Sequence, residues 1–348
     1  MKRKVSLILC VLLVLAALLA GCGAPEPPKA APKPAETPKP APPKEAPKQW
    51  KVALLTSGPI NDKGWNATAY DGLQMIKTQL GAQVAYSEKV APSDFEEVFR
   101  GYANQGFDVI FGHGFQFGDA AMKVAKQFPN AKFIITSTDI SQAPNVASLG
   151  NSNLEQGFVA GALAALLTKT KVVGSVEGMD IPSIKAYVDG FKAGAAYIDP
   201  KVKVLISYIG NFDDAAKGKQ LALAMIQAKA DVINHDADAA GLGVIEAAKS
   251  KKVMCIGAIS DQNAVAPEVV VNSAISDLSK AYVLSVKDVI AGKFKAVSVN
   301  YGIKEGTVGL APWHNWESKV DASIKTKMTQ LIEDVKTGKI DINKLVKR

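Results

Sequence analysis

Six short β-rich runs each end in a cluster of polar residues that could do chemistry. Val52 to Thr56 leads into SGPINDKGW, with Asn61, Asp62, Trp65 and Asn66, and Asp108 to Phe111 leads into GHGF, with His113 and Gly114. Lys132 to Thr136 is followed by STD, with Asp139, and Val172 to Val176 by EGMD, with Gly178 and Met179. Asp231 to Ile233 is followed by NHDADAAG, with Asn234, His235 and Asp236, and Val253 to Ile256 by GAISDQ, with Asp261. Carboxylates, amides and imidazoles grouped in this way suit hydrogen bonding to a small molecule, and the thirteen residues named are the candidate ligand-binding set. Catalysis finds little support. There is no GxSxG elbow and no GxxxxGK phosphate loop, and Gly241-Leu242-Gly243 lacks the third glycine of a dinucleotide fingerprint. His113 and His235 have no other histidine near them in sequence and Cys255 is the only cysteine of the body, so neither a zinc site nor a cofactor is expected.

The elements that must position these clusters alternate. Seven β-rich runs, the six above and Val202 to Tyr208, are separated by amphipathic stretches, a pattern that predicts α/β architecture with parallel sheets covered by helices. After Pro182, which suits a first helical turn, Ile184, Tyr187, Val188, Phe191, Ala195 and Ile198 recur at three- and four-residue steps and predict a helix packed on a sheet. Asn151 to Thr168 is more apolar and reads as a buried crossover helix, with Ser152 and Glu155 fitting a capping box. In open parallel sheets, ligands bind at the carboxyl ends of strands beside the switch in strand order, where the clusters fall. Turn and cap chemistry is the competing reading: Asp62, Asp139, Asp180 and Asp261 also fit helix caps, and for Asp213 and Asp214, ahead of a helix over 215–228, the cap reading is preferred. His113 and His235 fit either ligand contacts or satisfied neutral histidines, and Cys255, in an apolar run, reads as a buried structural thiol.

The chain opens with Lys2-Arg3-Lys4, an apolar run from Val5 to Leu18, then Leu19-Ala20-Gly21-Cys22. That run is too short for a bilayer span and reads as a cleaved export signal, residues 1–21. Gly23 to Lys48 is almost wholly Pro, Ala, Lys and Glu, so residues 22–49 are expected to form a polyproline-like spacer and the folded body to occupy 50–348. The formal charge of +8 shrinks on apportioning. Three basic residues lie in the leader and the spacer holds five lysines against three glutamates, leaving the body about +3. No basic run interleaved with aromatics occurs there, so nucleic acid is not an expected partner.

Leu-Ala-Gly-Cys resembles the bacterial lipobox, whose cysteine is acylated and starts the mature protein, which makes Cys22 the expected lipidation site on the outer face of the cell membrane. The body resembles the basic membrane protein family of solute-binding lipoproteins, the PnrA-like purine nucleoside receptors of ABC importers. GPINDKGWNATAYDGL at 58–73, VEGMDIPSIKAYVDGFKAGA at 176–195 and YIGNFDDAAKGKQLALAMIQAKADVI at 208–233, followed by GLGVIEAAK and GAISDQN, carry the likeness. It implies a periplasmic-binding-protein type I fold. Two Rossmann-like lobes, about 50–150 and 170–270, are then joined by three crossing segments that include the C-terminal part. It further implies a monomer that traps ligand between its lobes, closes about a hinge and docks on an ABC permease. The family's first motif typically runs Asn-Asp-Lys-Ser-Phe-Asn, its aromatic stacking on a purine ring; Asn61, Asp62 and Asn66 match, and Trp65 offers a larger platform. In the second lobe Ile259 stands where the family often has a carboxylate, while Asp236 and Asp261 are expected to bind sugar hydroxyls or ring N–H groups. Nucleoside and free base both stay open, as does another planar ligand such as riboflavin. A nucleoside-processing enzyme and an adhesive surface lipoprotein are the rivals from other classes. Trp313-His314-Asn315-Trp316 is expected to pack at the hinge or lobe edge.

Overall fold

The computed structural model describes residues 48–61 and 65–346. The expected export signal, Cys22, most of the expected spacer and Asp62 lie outside the described residues.

In the first sheet the inner strand is hydrophobic on both faces, as a parallel strand covered from two sides must be. Val52 and Leu54 of β1 (Lys51–Thr56) point to one core, Ala53 and Leu55 to the other. The order is β11-β5-β4-β3-β1-β2, with β2 at Gln83–Ser87, β3 at Val109–His113, β4 at Lys132–Thr136, β5 at Val146–Asn151 and β11 at Ser298–Tyr301, all parallel. Helices α1 (Trp65–Leu80) and α8 (Leu278–Ile290) cover one face; α2 (Phe95–Asn104) and α3 (Gly118–Ala125) cover the other.

The second sheet repeats the plan in the order β12-β10-β9-β8-β6-β7. Its strands are β6 (Val172–Glu177), β7 (Lys203–Tyr208), β8 (Val232–Asp236), β9 (Met254–Ile259), β10 (Val270–Ser276) and β12 (Val308–Leu310), the last antiparallel to β10. Helices α4 (Asn153–Leu167) and α5 (Pro182–Ile198) contribute to the core on one face, α6 (Ala215–Gln227) and α7 (Gly241–Lys251) to that on the other. The terminal helices α9 (Ala322–Lys336) and α10 (Ile342–Val346) extend the α4–α5 side. Helix α5 begins at Pro182 and buries Ile184, Tyr187, Val188, Phe191 and Ala195 as its periodicity predicts. Its chief partner, however, is α4 rather than the sheet. Gly157 and Gly161 of α4 lie on the backbone of α5 at Tyr187 and Phe191, and Gly190 and Gly194 of α5 lie on α4 at Leu154 and Phe158, so closely that any Cβ would overlap a carbonyl.

Three segments pass between the sheets. One leads from β5 into α4, one from β10 into α8 and one from β11 to β12. Hydrogen bonds bind the three together: Asn151 Nδ2 donates to Ser276 Oγ (3.0 Å), the Ser152 amide to the Tyr301 carbonyl (2.8 Å), the Asp277 amide to the Thr307 carbonyl (2.7 Å) and the Ile303 amide to Glu155 Oε2 (2.6 Å). The capping box is therefore only half made. Ser152 Oγ accepts from the Glu155 amide, but the Glu155 carboxylate is drawn away to the third crossing. Each crossing leaves its sheet at a strand's carboxyl end, so the carboxyl edges of both sheets border the gap that the crossings span.

Candidate functional site

In each sheet the strand order reverses between the first strand and its inner neighbour, β1 and β3 in one and β6 and β8 in the other, and there a parallel sheet opens a ligand crevice. The last residues of the paired strands are register partners at both switch points, Thr56 with His113 and Glu177 with Asp236. The polar clusters begin inside the strands rather than after them. His113, Asn234, His235, Asp236 and Glu177 are strand residues, against the expectation of turns, because parallel pairing continues to the sheet edge.

In the first lobe, Trp65 opens α1 instead of occupying the preceding loop and is 39% exposed. Its indole stacks on the buried imidazole of His113, with ring centroids 4.2 Å apart and planes inclined by 24°. His113 Nε2 lies 2.9 Å from the Trp65 carbonyl oxygen, which can only accept, so Nε2 carries hydrogen. Nδ1 meets the Tyr282 hydroxyl at 2.8 Å and Thr136 Oγ1 at 3.1 Å. Burial holds the Tyr282 phenol far above its usual range, so it remains a hydroxyl. Gly114 (φ 124°) turns the chain away from β3 and donates its amide to Thr136 Oγ1 at 2.8 Å. The Asn66 amide packs against Gly58 and braces the loop after β1, Asn61 is exposed in that loop, and Asp139 is exposed after β4.

In the second lobe the structure brings fewer of the expected residues to the edge. Asn234 is fully buried: Oδ1 accepts from Tyr187 Oη (2.7 Å) and contacts Ser175 Oγ (2.8 Å), and Nδ2 donates to the Ile256 carbonyl (3.1 Å). His235 points to the opposite face, where Gln262 Oε1 takes hydrogen bonds from its Nε2 and from the Ala258 amide, both at 3.0 Å. Burial lowers the His235 ring to about 4, so it is neutral. Both side chains are thus buried and hydrogen-bonded within the second lobe, one on each face of β8, as strand alternation requires. Asp261 is exposed, with Oδ2 2.5 Å from His314 Nε2. The neighbours of His314 hold the same loop: Asn315 Nδ2 and Trp316 Nε1 both donate to the Pro267 carbonyl. The late tryptophan cluster is accordingly a clamp on the turn after β9.

Asp236 is 6% exposed at the end of β8, and its carboxyl is pushed up to about 7, first by burial and then by the charge of Asp238. Two further residues at this edge are absent from the expected set. Glu177, fully buried beside Asp236, was signalled by a carboxylate at the end of the apolar run VVGSV. Phe212, half-buried after β7, lies against Gly178 so closely that a Cβ there would overlap its ring; the signal was an aromatic directly before the capping aspartates. Asp214 caps α6 by accepting from the Lys217 amide at 2.9 Å, as expected, while Asp213 does not cap. Met179 is exposed nearby, and Ile259, a β-branched residue at φ 69°, holds a strained turn at the end of β9. Cys255 is buried, its thiol pushed up to about 12 by burial.

Two doubly wound lobes, tied by three crossings and carrying an aromatic platform at one switch point and buried carboxyls at the other, define the class of two-lobed solute-binding proteins. The chain belongs to the family of PnrA-like ABC transporter substrate-binding proteins, whose model matches residues 49–341. It is 31% identical to basic membrane protein A of Borreliella burgdorferi over 74% of this chain and 78% of that protein. It is 29% identical to the ABC transporter nucleoside-binding protein BmpA of Lactococcus lactis over 98% and 99% of the two chains. Among solved structures it is similar to an ABC transporter solute-binding protein of Conexibacter woesei, with 26% identity, a TM-score of 0.69 and coverage of 84% of this chain and 98% of that one. The family places the chain among binding proteins, not enzymes, with a small molecule as ligand and a permease as partner.

Proposed function

We propose that the chain is a lipid-anchored receptor that captures a purine nucleoside or purine base between its lobes and hands it to the permease of an ABC importer. The observation that carries this reading is Trp65: a part-exposed indole at the first switch point, stacked on the buried ring of His113. Stacking on such a platform is worth about 1–3 kcal/mol per base. Asn61 and Asp62 on the first lobe, with Asp236 and the Met179–Phe212 side of the second, supply the polar and apolar remainder of the site. A relative named as nucleoside-binding, similar over nearly its whole length, supports the purine class. The lipobox-like LAGC supports Cys22 as the anchor and the outer face of the cell membrane as the location.

The test is a melting-temperature screen of full-length protein against purine nucleosides, purine bases and riboflavin, with chromatography of the recovered ligand. Purines at a hundred times their dissociation constant should add ~2.7 kcal/mol of stability and return intact. A shift with riboflavin alone, or release of free base from a nucleoside, would refute the reading.

A further inference from the structure

The buried polar cluster behind the second switch point carries more information than its position. Ser175 Oγ lies 2.6 Å from Glu177 Oε1 and 2.8 Å from Asn234 Oδ1. Asn234 cannot be turned over to relieve this, because its Nδ2 donates to the Ile256 carbonyl and its Oδ1 accepts from Tyr187. A serine hydroxyl has one hydrogen. If that hydrogen goes to Asn234 Oδ1, the 2.6 Å contact closes only when Glu177 Oε1 itself bears a hydrogen and donates it to Ser175. If it goes to Glu177, two bare oxygens face each other at 2.8 Å among buried side chains. Counting hydrogens therefore makes Glu177 a carboxylic acid. Its other oxygen, Oε2, is buried and has no hydrogen-bond partner among the described residues. Asp236 stands next to it in register, and its carboxyl also has no hydrogen bond to a described residue.

We propose that Glu177 and Asp236 form a proton-holding carboxyl pair that reads the ligand in the second lobe, Asp236 touching it and Glu177 acting as a positioning residue, and that the pair selects a molecule presenting N–H or O–H donors and rejects anions such as nucleotides. This deepens the proposed function and rests on it. The surroundings are uniformly acidic or neutral: Tyr187 from α5, Cys255 from β9, Tyr208 from β7, and Asp180 and Asp238 from the flanking turns. Lys185, on the first turn of α5, is engaged with exposed Asp180, and no lysine or arginine among the described residues pairs with Glu177 or Asp236. Burial and the neighbouring Asp236 hold the Glu177 carboxyl well above the carboxylate range, in agreement with the hydrogen count. Asp236, nearer the surface, is the member that ionises at about 7. A ligand donor meets the ionised form, so binding drives the Asp236 proton into the buffer.

The experiment titrates full-length protein with adenosine, whose amino group and sugar hydroxyls are donors, in buffers of unlike ionisation heat. Affinity should rise about tenfold between about pH 6 and pH 8, following the ionised fraction of a group titrating near 7, with proton release seen by calorimetry. Asp236→Asn should flatten the profile and abolish the release, and adenosine monophosphate should bind far more weakly than adenosine. Glu177→Ala should lower adenosine affinity, and Glu177→Gln, whose amide can repeat the donation to Ser175, should recover much of the loss. Infrared spectra of the ligand-free protein at neutral pH should show a protonated carboxyl C=O band that titrates only at high pH and is missing in Glu177→Gln. Adenosine binding that is tight but flat with pH would overturn the carboxyl pair and leave the purine reading standing. Failure of every purine to bind would overturn the purine reading; the infrared band then decides the pair alone, and its absence from the wild type would overturn it without reference to any variant.

Discussion

The indole of Trp65 rests on the imidazole of His113, 4.2 Å away, while the backbone carbonyl of the same tryptophan accepts from Nε2 of that imidazole. One buried histidine, itself anchored by Tyr282 and Thr136, thus sets both the ring and the helix start that carry the platform. A rigid aromatic loses little freedom on meeting a ligand, which favours affinity through preorganisation.

Trp65→Ala should therefore weaken purine binding by about 1–3 kcal/mol, roughly five- to a hundredfold or more, with little effect on unfolding. Tyr282→Phe keeps the ring but removes the hydroxyl, and should cost about 1 kcal/mol of stability together with a smaller loss of affinity. Calorimetric titration and urea unfolding of the two variants separate these effects; unchanged affinity in Trp65→Ala would remove the platform from the site.

Stability should respond to pH through two neighbouring residues of opposite sign. The Asp236 carboxyl is raised from 3.8 to about 7, so the folded chain keeps a proton that the unfolded chain releases. Its stabilising contribution is complete below about pH 4, declines as pH rises towards 7 and is spent above that. The His235 ring is lowered from 6.5 to about 4, so its contribution is complete above about pH 6.5 and is lost as pH falls towards 4. Asp236→Asn should accordingly raise unfolding free energy by roughly 4 kcal/mol at about pH 8 and hardly at all near pH 4. Urea titrations across that range give the answer, and an equal gain at both ends would contradict the assignment.

Much of the fold is legible in the sequence because its signals are local. The inner strands at 52–56, 132–136 and 172–176 are apolar runs that both sheet faces bury, and α5 shows its helical period between Pro182 and Ile198. The shorter strands β11 and β12 carry no such run, since each exists by pairing with a distant element of its sheet. Site residues divide along the same line. That Asp236 belongs at the edge follows from its place after an apolar strand, whereas the inward turn of Asn234 and His235 depends on where β8 stops pairing, which is set by β6 and β9. The proton on Glu177 is a property of four side chains from three elements and has no signature in any one of them.

The contact between α4 and α5 is closer than side chains ordinarily allow, and glycine makes it possible. Gly161→Ala would put a methyl group onto the Phe191 carbonyl. Overpacking of a tight core costs about 1–3 kcal/mol, occasionally more, and here backbone rather than a flexible side chain must give way. Gly161→Ala should lower the urea midpoint by such an amount, and Gly101→Ala, on the surface of α2 with open space around it, should not. Equal midpoints for the two variants would show that the helices can separate freely.

Lobe closure is the last expectation, and its hinge is specific. The third crossing is held to α4 by the bond from the Ile303 amide to Glu155, and Gly302 lies on that carboxylate so closely that a Cβ would overlap it. Burial raises the Glu155 carboxyl, and the charge of Glu305 adds to the rise, while the Ile303 bond opposes it. Small-angle scattering with saturating purine should show a smaller radius of gyration than the ligand-free protein, as hinge closure requires. Gly302→Ala, which must push Glu155 aside, should change the ligand-free radius or the extent of compaction while leaving the residues at both switch points untouched. An unchanged radius with purine demonstrably bound would mean that capture proceeds without the lobes moving.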